Sequence, residues 1–314
     1  MSAITMGSAP DHRNGSRGIV PPSTGEPLPH AHSLEEHWQG IAHGAGGDAS
    51  FVIEMLRVNG QLLRVGHQRG KGHGVPLLMF NGIGGNIELL EPIVRAMPER
   101  EVIVFDVPGV GHSPMPRRPY RLRNVAAWAE GLLDHFGHET VDVLGVSWGG
   151  AAAQEFARRA GTRCRRLILC ATATGMVMLP GHPKAIARMV TPRRYMSKSY
   201  ASRVSGDIYG GDFRDHPELA ADLVKHVKWQ SHWGYYLQLA AAMGWTSVHW
   251  LWRLRQPTFV MAGRDDPLIH LFNARLMRVM IPNSEIKVFD CGHLFLMTRQ
   301  EETVRAINEF LDKP

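Results

Sequence analysis

A serine set between glycines, Gly145-Val146-Ser147-Trp148-Gly149, is the group in this chain best suited to covalent chemistry. The pattern Gly-x-Ser-x-Gly says little alone in a chain with 33 glycines. Its setting says more. The motif follows the apolar run 140–144 and opens a stretch of three-to-four periodicity at 149–160. Strand, sharp turn and helix are what a nucleophile elbow requires. Such a turn lifts the hydroxyl above a sheet, at the positive end of the next helix. A serine hydroxyl is a weak nucleophile without a base. Two later loops supply partners in the order acid, then histidine. Ala262-Gly263-Arg264-Asp265-Asp266-Pro267 follows one apolar run, and Asp290-Cys291-Gly292-His293 follows the last one. We read Ser147 as nucleophile, His293 as general base and then acid, and Asp266 as the carboxylate that orients the imidazole. Asp265 is the competing acid. Asp266 is preferred because it stands three residues after Gly263 and directly before a turn-forming proline.

Acyl transfer also needs donors for a developing oxyanion. One is expected from the backbone N–H of Trp148, the residue after the nucleophile. The other is expected from Ile83, in the loop Asn81-Gly82-Ile83-Gly84-Gly85. That loop lacks both the Gly-x-Gly-x-x-Gly spacing and a Gly-Lys-Ser, so no nucleotide site is expected. Of the 17 histidines, His67, His112, His249 and His270 read as structural or surface residues. His30, His32 and His37 lie close together, but no His-Glu-x-x-His or cysteine pairing accompanies them, so no metal is expected.

The elements that must position these groups follow from the apolar pattern. Phe51–Val58 and Gln61–Gln68 alternate around Asn59-Gly60, a strong hairpin signal. Continuous apolar runs at 75–80, 101–105, 140–144, 166–170, 258–262 and 286–289 read as strands buried on both faces. Helical periodicity fills 87–97, 125–136, 149–160, 271–281 and 302–311. The alternation predicts an α/β fold with a mostly parallel, doubly wound sheet, its core at 50–172 and 256–314. Residues 173–255 hold no clear sheet strand and five of the eight tryptophans. A stretch that long is not expected to be a bare loop. It reads as a helical cap, or lid, inserted before the acid-bearing strand. Most of its aromatics are expected to form the cap's own core. Trp229, Trp233, Tyr235, Tyr236 and Trp245 are the candidates to line an apolar substrate channel. Residues 1–49 are rich in Gly, Pro, Ser and His and read as a flexible extension.

Composition narrows the function classes. The chain has 314 residues, 44% hydrophobic and 20% charged, which suits a globular protein with a sizeable core. The net charge of +6 comes from scattered arginines, with short pairs such as Arg117-Arg118 and Arg193-Arg194, and no nucleic-acid partner is expected. Three cysteines, Cys164, Cys170 and Cys291, make no disulfide framework. The first thirty residues show no continuous apolar stretch, so no secretory signal is expected, and no run is long enough for a transmembrane segment. These features together favour the cytoplasm.

From about Phe51 onward the chain resembles the α/β-hydrolase superfamily. More narrowly it resembles the intracellular medium-chain-length poly(3-hydroxyalkanoate) depolymerases. The resemblance rests on Phe80-Asn-Gly-Ile-Gly84, Phe105-Asp-Val-Pro-Gly-Val-Gly111, Gly145-Val-Ser-Trp-Gly-Gly150, Ser205-Gly-Asp-Ile-Tyr-Gly-Gly211, Gly244-Trp-Thr-Ser-Val-His-Trp250 and Gly292-His-Leu-Phe-Leu296. The strings at 207–211 and 244–250 fall in the cap, which varies widely between families, and are the more specific. The resemblance implies the same triad, Ser147, Asp266 and His293. It implies hydrolysis of a storage polyester to 3-hydroxy acids through an acyl-enzyme, without a cofactor, by a protein associated with storage granules. Two departures stand out: the long first segment, and His270 where related enzymes often have proline. Polymer synthases of the same fold carry cysteine at the elbow, where this chain has serine. A 3-hydroxyacyl transacylase, a general lipase or carboxylesterase, and a granule-surface protein without catalysis are the competing readings.

Overall fold

The structure is a computed structural model and describes residues 51–72, 74–227 and 231–314. The first segment, with His30, His32 and His37, lies outside the described residues, as does Trp229.

The hairpin forms where the sequence places it. β1 (Phe51–Val58) and β2 (Gln61–Gln68) pair antiparallel in full register, from Phe51 opposite Gln68 to Val58 opposite Gln61. Asn59 and Gly60 both take positive φ, 49° and 79°, the backbone that a two-residue turn demands. The remaining strands are β3 (Leu77–Phe80), β4 (Val102–Asp106), β5 (Val141–Val146), β6 (Cys164–Cys170), β7 (Thr258–Gly263) and β8 (Ser284–Phe289). They form one sheet in the order β1-β2-β4-β3-β5-β6-β7-β8. β2 meets β4 antiparallel, and every pair from β4 to β8 is parallel. β3, β4, β5 and β7 are buried at every position, which is why their sequences are mostly apolar, with Asp106, Asp142 and Thr258 the buried polar exceptions.

Helices cover both faces. α1 (Ile87–Arg95) and α11 (Gln300–Leu311) pack with Leu77, Val104, Ile168 and Phe259 on one side. α2 (Leu122–Phe136), α3 (Trp148–Ala160) and α9 (Leu271–Met280) pack with Leu78, Val143 and Leu169 on the other. The strand ends run one or two residues differently from the apolar runs, because hydrogen bonding continues past the last apolar side chain.

Between β6 and β7 the chain forms α4 (Pro183–Met189), a short 3-10 turn at Pro192–Tyr195, α5 (Lys198–Tyr209), α6 (Asp212–Asp215), α7 (Leu219–His226) and α8 (His232–Ala242). α10 (Phe295–Thr298) follows β8. Val204, Ile208, Phe213, Leu219 and Leu223 of this segment form an apolar cluster with Leu89 of α1, Leu268 and Met297. The segment is therefore packed onto the core by shared side chains. Trp250 and Leu251 go further and join the main core. Of the described residues, this stretch adds no strand to the sheet.

One backbone contact sets how closely α8 approaches. A Cβ at Gly234 would lie 1.7 Å from the Gly109 carbonyl oxygen, in the loop after β4. No side-chain rotation relieves a clash with backbone. Gly234→Ala gains at most about 1 kcal/mol of helix propensity. The enforced shift costs about 1–3 kcal/mol. We expect a net loss of stability, read as a lower denaturant midpoint with unchanged slope. A midpoint at or above the wild-type value would show that α8 does not depend on this approach.

Candidate active site

Ser147 stands between β5 and α3 with φ 54° and ψ −117°, a conformation that residues other than glycine rarely adopt. Three hydrogen bonds hold it there. Its N–H donates to the Cys170 carbonyl (2.8 Å), and its own carbonyl accepts from the Gly150 N–H (2.9 Å) and the Thr172 hydroxyl (2.7 Å). Gly149 is required for a separate reason. A Cβ there would sit 2.3 Å from the Phe80 carbonyl oxygen, at the end of β3.

Asp266 and His293 come from the loops after β7 and β8. His293 Nδ1 and Asp266 Oδ2 are 2.6 Å apart, with side chains only 4% and 1% exposed. The other oxygen, Oδ1, accepts the N–H groups of Leu268 and Ile269 at 2.9 Å each. These bonds fix the carboxylate so that it fixes the ring, leaving Nε2 to exchange protons. The His293 N–H donates to the Tyr209 carbonyl, at the end of α5 (2.7 Å). Asp265 is engaged elsewhere. It is half exposed and pairs with Arg214 (2.8 Å) and the Gly211 N–H, and Arg214 holds its carboxyl below the usual range. Geometry thus separates the two neighbouring aspartates. His270 serves as a helix cap, its Nδ1 accepting the Phe272 N–H at the start of α9.

Ser147 and His293 share a cavity of about 60 Å³ with Ile83. Its wall is mostly apolar, including Leu89, Leu90, Ile93, Leu223 and Leu268. In the loop after β3 the amides of Gly82, Gly84 and Gly85 are taken by Asn81 Oδ1, Gln238 Oε1 and the Gly82 carbonyl. The Ile83 amide has no acceptor among the described residues. The Trp148 amide, in the first turn of α3, has no acceptor within its helix. Two amides are therefore available for an oxyanion.

The cavity wall corrects one expectation. Among the described candidates, none of Trp233, Tyr235, Tyr236 and Trp245 lines it. Trp233 and Tyr236 point outward, 70% and 39% exposed. The Trp245 indole donates to Glu155 on α3 (3.2 Å), and its ring lines a separate depression with Arg121 and Arg158. Tyr235 is buried one layer back, its hydroxyl bonded to Arg194 and the Met189 carbonyl. An indole or phenol with a polar tip goes where that tip finds a partner, and these partners lie away from the cavity. Met189, Arg194, Tyr195, Tyr209 and Met297 take their place on the wall.

Gln238 was also not foreseen. Its side chain accepts from the Gly84 N–H (2.7 Å), and its carbonyl accepts from the Trp148 indole (2.8 Å). It ties the two amide-bearing segments to α8. Its signal in the sequence is a lone polar residue in the apolar run 237–242.

The alpha/beta hydrolase fold family matches residues 75–195. A poly(3-hydroxyalkanoate) depolymerase of Ectopseudomonas oleovorans is 48% identical over 264 residues, covering 84% of this chain and 93% of the relative. The chain belongs to the α/β-hydrolase family. A 2-hydroxy-6-oxo-2,4-heptadienoate hydrolase of Pseudomonas putida is 25% identical, covering 76% of this chain and 90% of that protein. An enol-lactonase from Burkholderia xenovorans has a TM-score of 0.71 at 22% identity, covering 83% of this chain and all of that one, a likeness of fold. Among α/β-hydrolases the order nucleophile, acid, histidine along the chain is the usual one. Ser147, Asp266 and His293 follow it.

Asp266→Asn keeps the shape but presents an amide to the imidazole. In a triad this costs about 10⁴ in kcat, because the wrong tautomer is favoured. We expect that loss on p-nitrophenyl octanoate, with Asp265→Asn within about three-fold of wild type, since an exposed ion pair contributes little. Steady-state kinetics of the two variants would test this, and equal losses would remove Asp266 from the site.

Proposed function

We propose that the chain is a serine esterase that cleaves medium-chain-length poly(3-hydroxyalkanoate) stored inside the cell. The observation that carries this reading is that Ser147 and His293 line the same apolar cavity, in a chain 48% identical to a poly(3-hydroxyalkanoate) depolymerase. In this reading Ser147 attacks an ester carbonyl of the chain while His293 takes its proton. The oxyanion is held by the amides of Ile83 and Trp148. Asp266 stabilises the imidazolium. The alkoxide leaves with the proton from His293. A water molecule deprotonated by His293 then releases the acyl group as an acid.

The segment 173–255 acts as a lid in this reading. It supplies Met189, Tyr195, Tyr209 and Leu223 to the cavity wall. Met176, Val177, Leu179, Ile186, Val190 and Met196 of the same segment are exposed. Apolar side chains left in water in such number suit contact with a hydrophobic polyester surface. No helix among the described residues is long and apolar enough to cross a membrane. The reading places the protein in the cytoplasm, at storage granules.

Turbidity loss of two polymer suspensions tests the proposal. Wild-type protein is expected to clear poly(3-hydroxyoctanoate) and leave poly(3-hydroxybutyrate) intact. Ser147→Ala is expected to reduce clearing by about 10⁶-fold, the scale of losing a triad serine. If neither suspension clears while p-nitrophenyl esters are still cleaved, esterase chemistry stands and the polyester substrate does not.

A further inference from the structure

Among the described residues, Arg194 is the one charged side chain besides His293 whose residue forms part of the cavity wall. In the sequence it is half of the short pair Arg193-Arg194, and it is only 2% exposed. Its head is held on several sides. Nε donates to the Tyr209 hydroxyl (3.2 Å), and Nη1 donates to the Tyr235 hydroxyl (2.9 Å) and, more weakly, to the Thr191 carbonyl (3.4 Å). The guanidinium carbon lies 4.2 Å from the Tyr195 ring centre and 5.2 Å from that of Tyr235. Nη2 makes no hydrogen bond, and no carboxylate pairs with the group, among the described residues.

Burial works against the charge while the surrounding tyrosine hydroxyls, Tyr235 by a direct hydrogen bond, work for it, and the pKa lies above the ordinary arginine value. Burial likewise raises the Tyr209 and Tyr235 hydroxyls above the ordinary tyrosine value, so neither supplies a negative charge. A guanidinium this deeply buried normally has a carboxylate beside it. Here the shell around it is neutral, the head is already oriented, and one edge is unbonded. Such a fork suits a carboxylate oxygen better than an ester carbonyl, because the hydrogen bond is then charged on both sides.

We propose that Arg194 binds the free carboxylate at the end of the polyester chain, so that the enzyme removes terminal units. The proposal rests on the polyester reading above. In a chain of hydroxy acids the only free carboxylate belongs to the last unit. That unit is joined to the chain through its hydroxyl, so it is the leaving alcohol when the last ester is attacked. Ser147 then keeps the remaining chain as acyl-enzyme, and one 3-hydroxy acid departs with a proton from His293. Water breaks the acyl-enzyme and exposes a new terminal carboxylate. Each turnover creates the group that Arg194 recognises in the next.

The test compares the dimer of 3-hydroxyoctanoate as free acid with its methyl ester at pH 7.5. Wild-type kcat/KM is expected to favour the acid by at least about ten-fold, as for loss of one charged hydrogen bond. In Arg194→Gln that ratio is expected to fall to near one, whatever the absolute rates, with folding checked by thermal melting. Equal rates on the two dimers in the wild type would overturn the proposal. So would an unchanged ratio in the variant. A second arm needs no variant: 3-hydroxyoctanoate is expected to inhibit p-nitrophenyl octanoate hydrolysis at least ten-fold better than its methyl ester. Equal inhibition would also overturn it. If neither dimer is cleaved while the p-nitrophenyl ester is, the polyester reading fails. The inhibition arm then still decides whether Arg194 holds a carboxylate.

Discussion

The strained backbone at Ser147 is the constraint around which this site is built. A serine at φ 54° costs on the order of 1–3 kcal/mol and persists only where its surroundings over-determine it. The surroundings here are specific. β6 supplies the Cys170 carbonyl, and the residues after it supply the Thr172 hydroxyl. β3 presses so close that position 149 has room for hydrogen only. The parallel pairing of β5 with β3 and β6 is therefore what makes the nucleophile possible. The same pairing brings the loop after β3, with its unpaired Ile83 amide, alongside the first turn of α3. The candidate nucleophile and the candidate oxyanion donors are consequences of one strand arrangement.

The helical segment between β6 and β7 belongs to this machinery through three separate hydrogen bonds. Gln238 accepts the Gly84 amide, the Tyr195 hydroxyl donates to the Ile83 carbonyl, and the Tyr209 carbonyl accepts the His293 amide. Each bond lands on a loop that carries a reacting or stabilising group. A segment serving only as a cover would not need such contacts. Lifting it would cost three bonds of about 1 kcal/mol each and would release the peptide whose amide faces the oxyanion. Access to the cavity and order in the site are thus coupled.

The core and the candidate triad were legible in the sequence because both rest on short-range patterns. Buried parallel strands are mostly apolar, and the hairpin must turn on residues that tolerate positive φ, so β1–β8 announce themselves. Ser147, Asp266 and His293 are read from their places after β5, β7 and β8. The cavity wall was not legible, because the helices of the cap bury aromatics for several reasons that look alike in sequence. Trp245 is half-buried and meets Glu155, and Tyr235 is buried to hold Arg194. Arg194 itself sits beside Arg193 in a charged pair, and only the three-dimensional position of Tyr195, Tyr209 and Tyr235 shows that one of the two turns inward. Gln238 had a signal, a single amide in an apolar run, which is costly to bury unless it is bonded.

The composition of the wall bears on which chains fit. Transfer of each methylene from water to an apolar wall contributes about 0.8 kcal/mol. Lengthening a side group from one carbon to five therefore adds roughly 3 kcal/mol, a factor of about two hundred in binding. Leu89, Leu90, Ile93, Leu223 and Leu268 supply such a wall. The gain stops where the space ends. Discrimination on this basis favours side groups of a few carbons over a single methyl, and does not keep rising for long ones. A wall of aliphatic side chains cannot by itself orient a flexible polyester, since methylenes slide along it without penalty. Orientation has to come from polar groups: the candidate amides of Ile83 and Trp148, and Arg194.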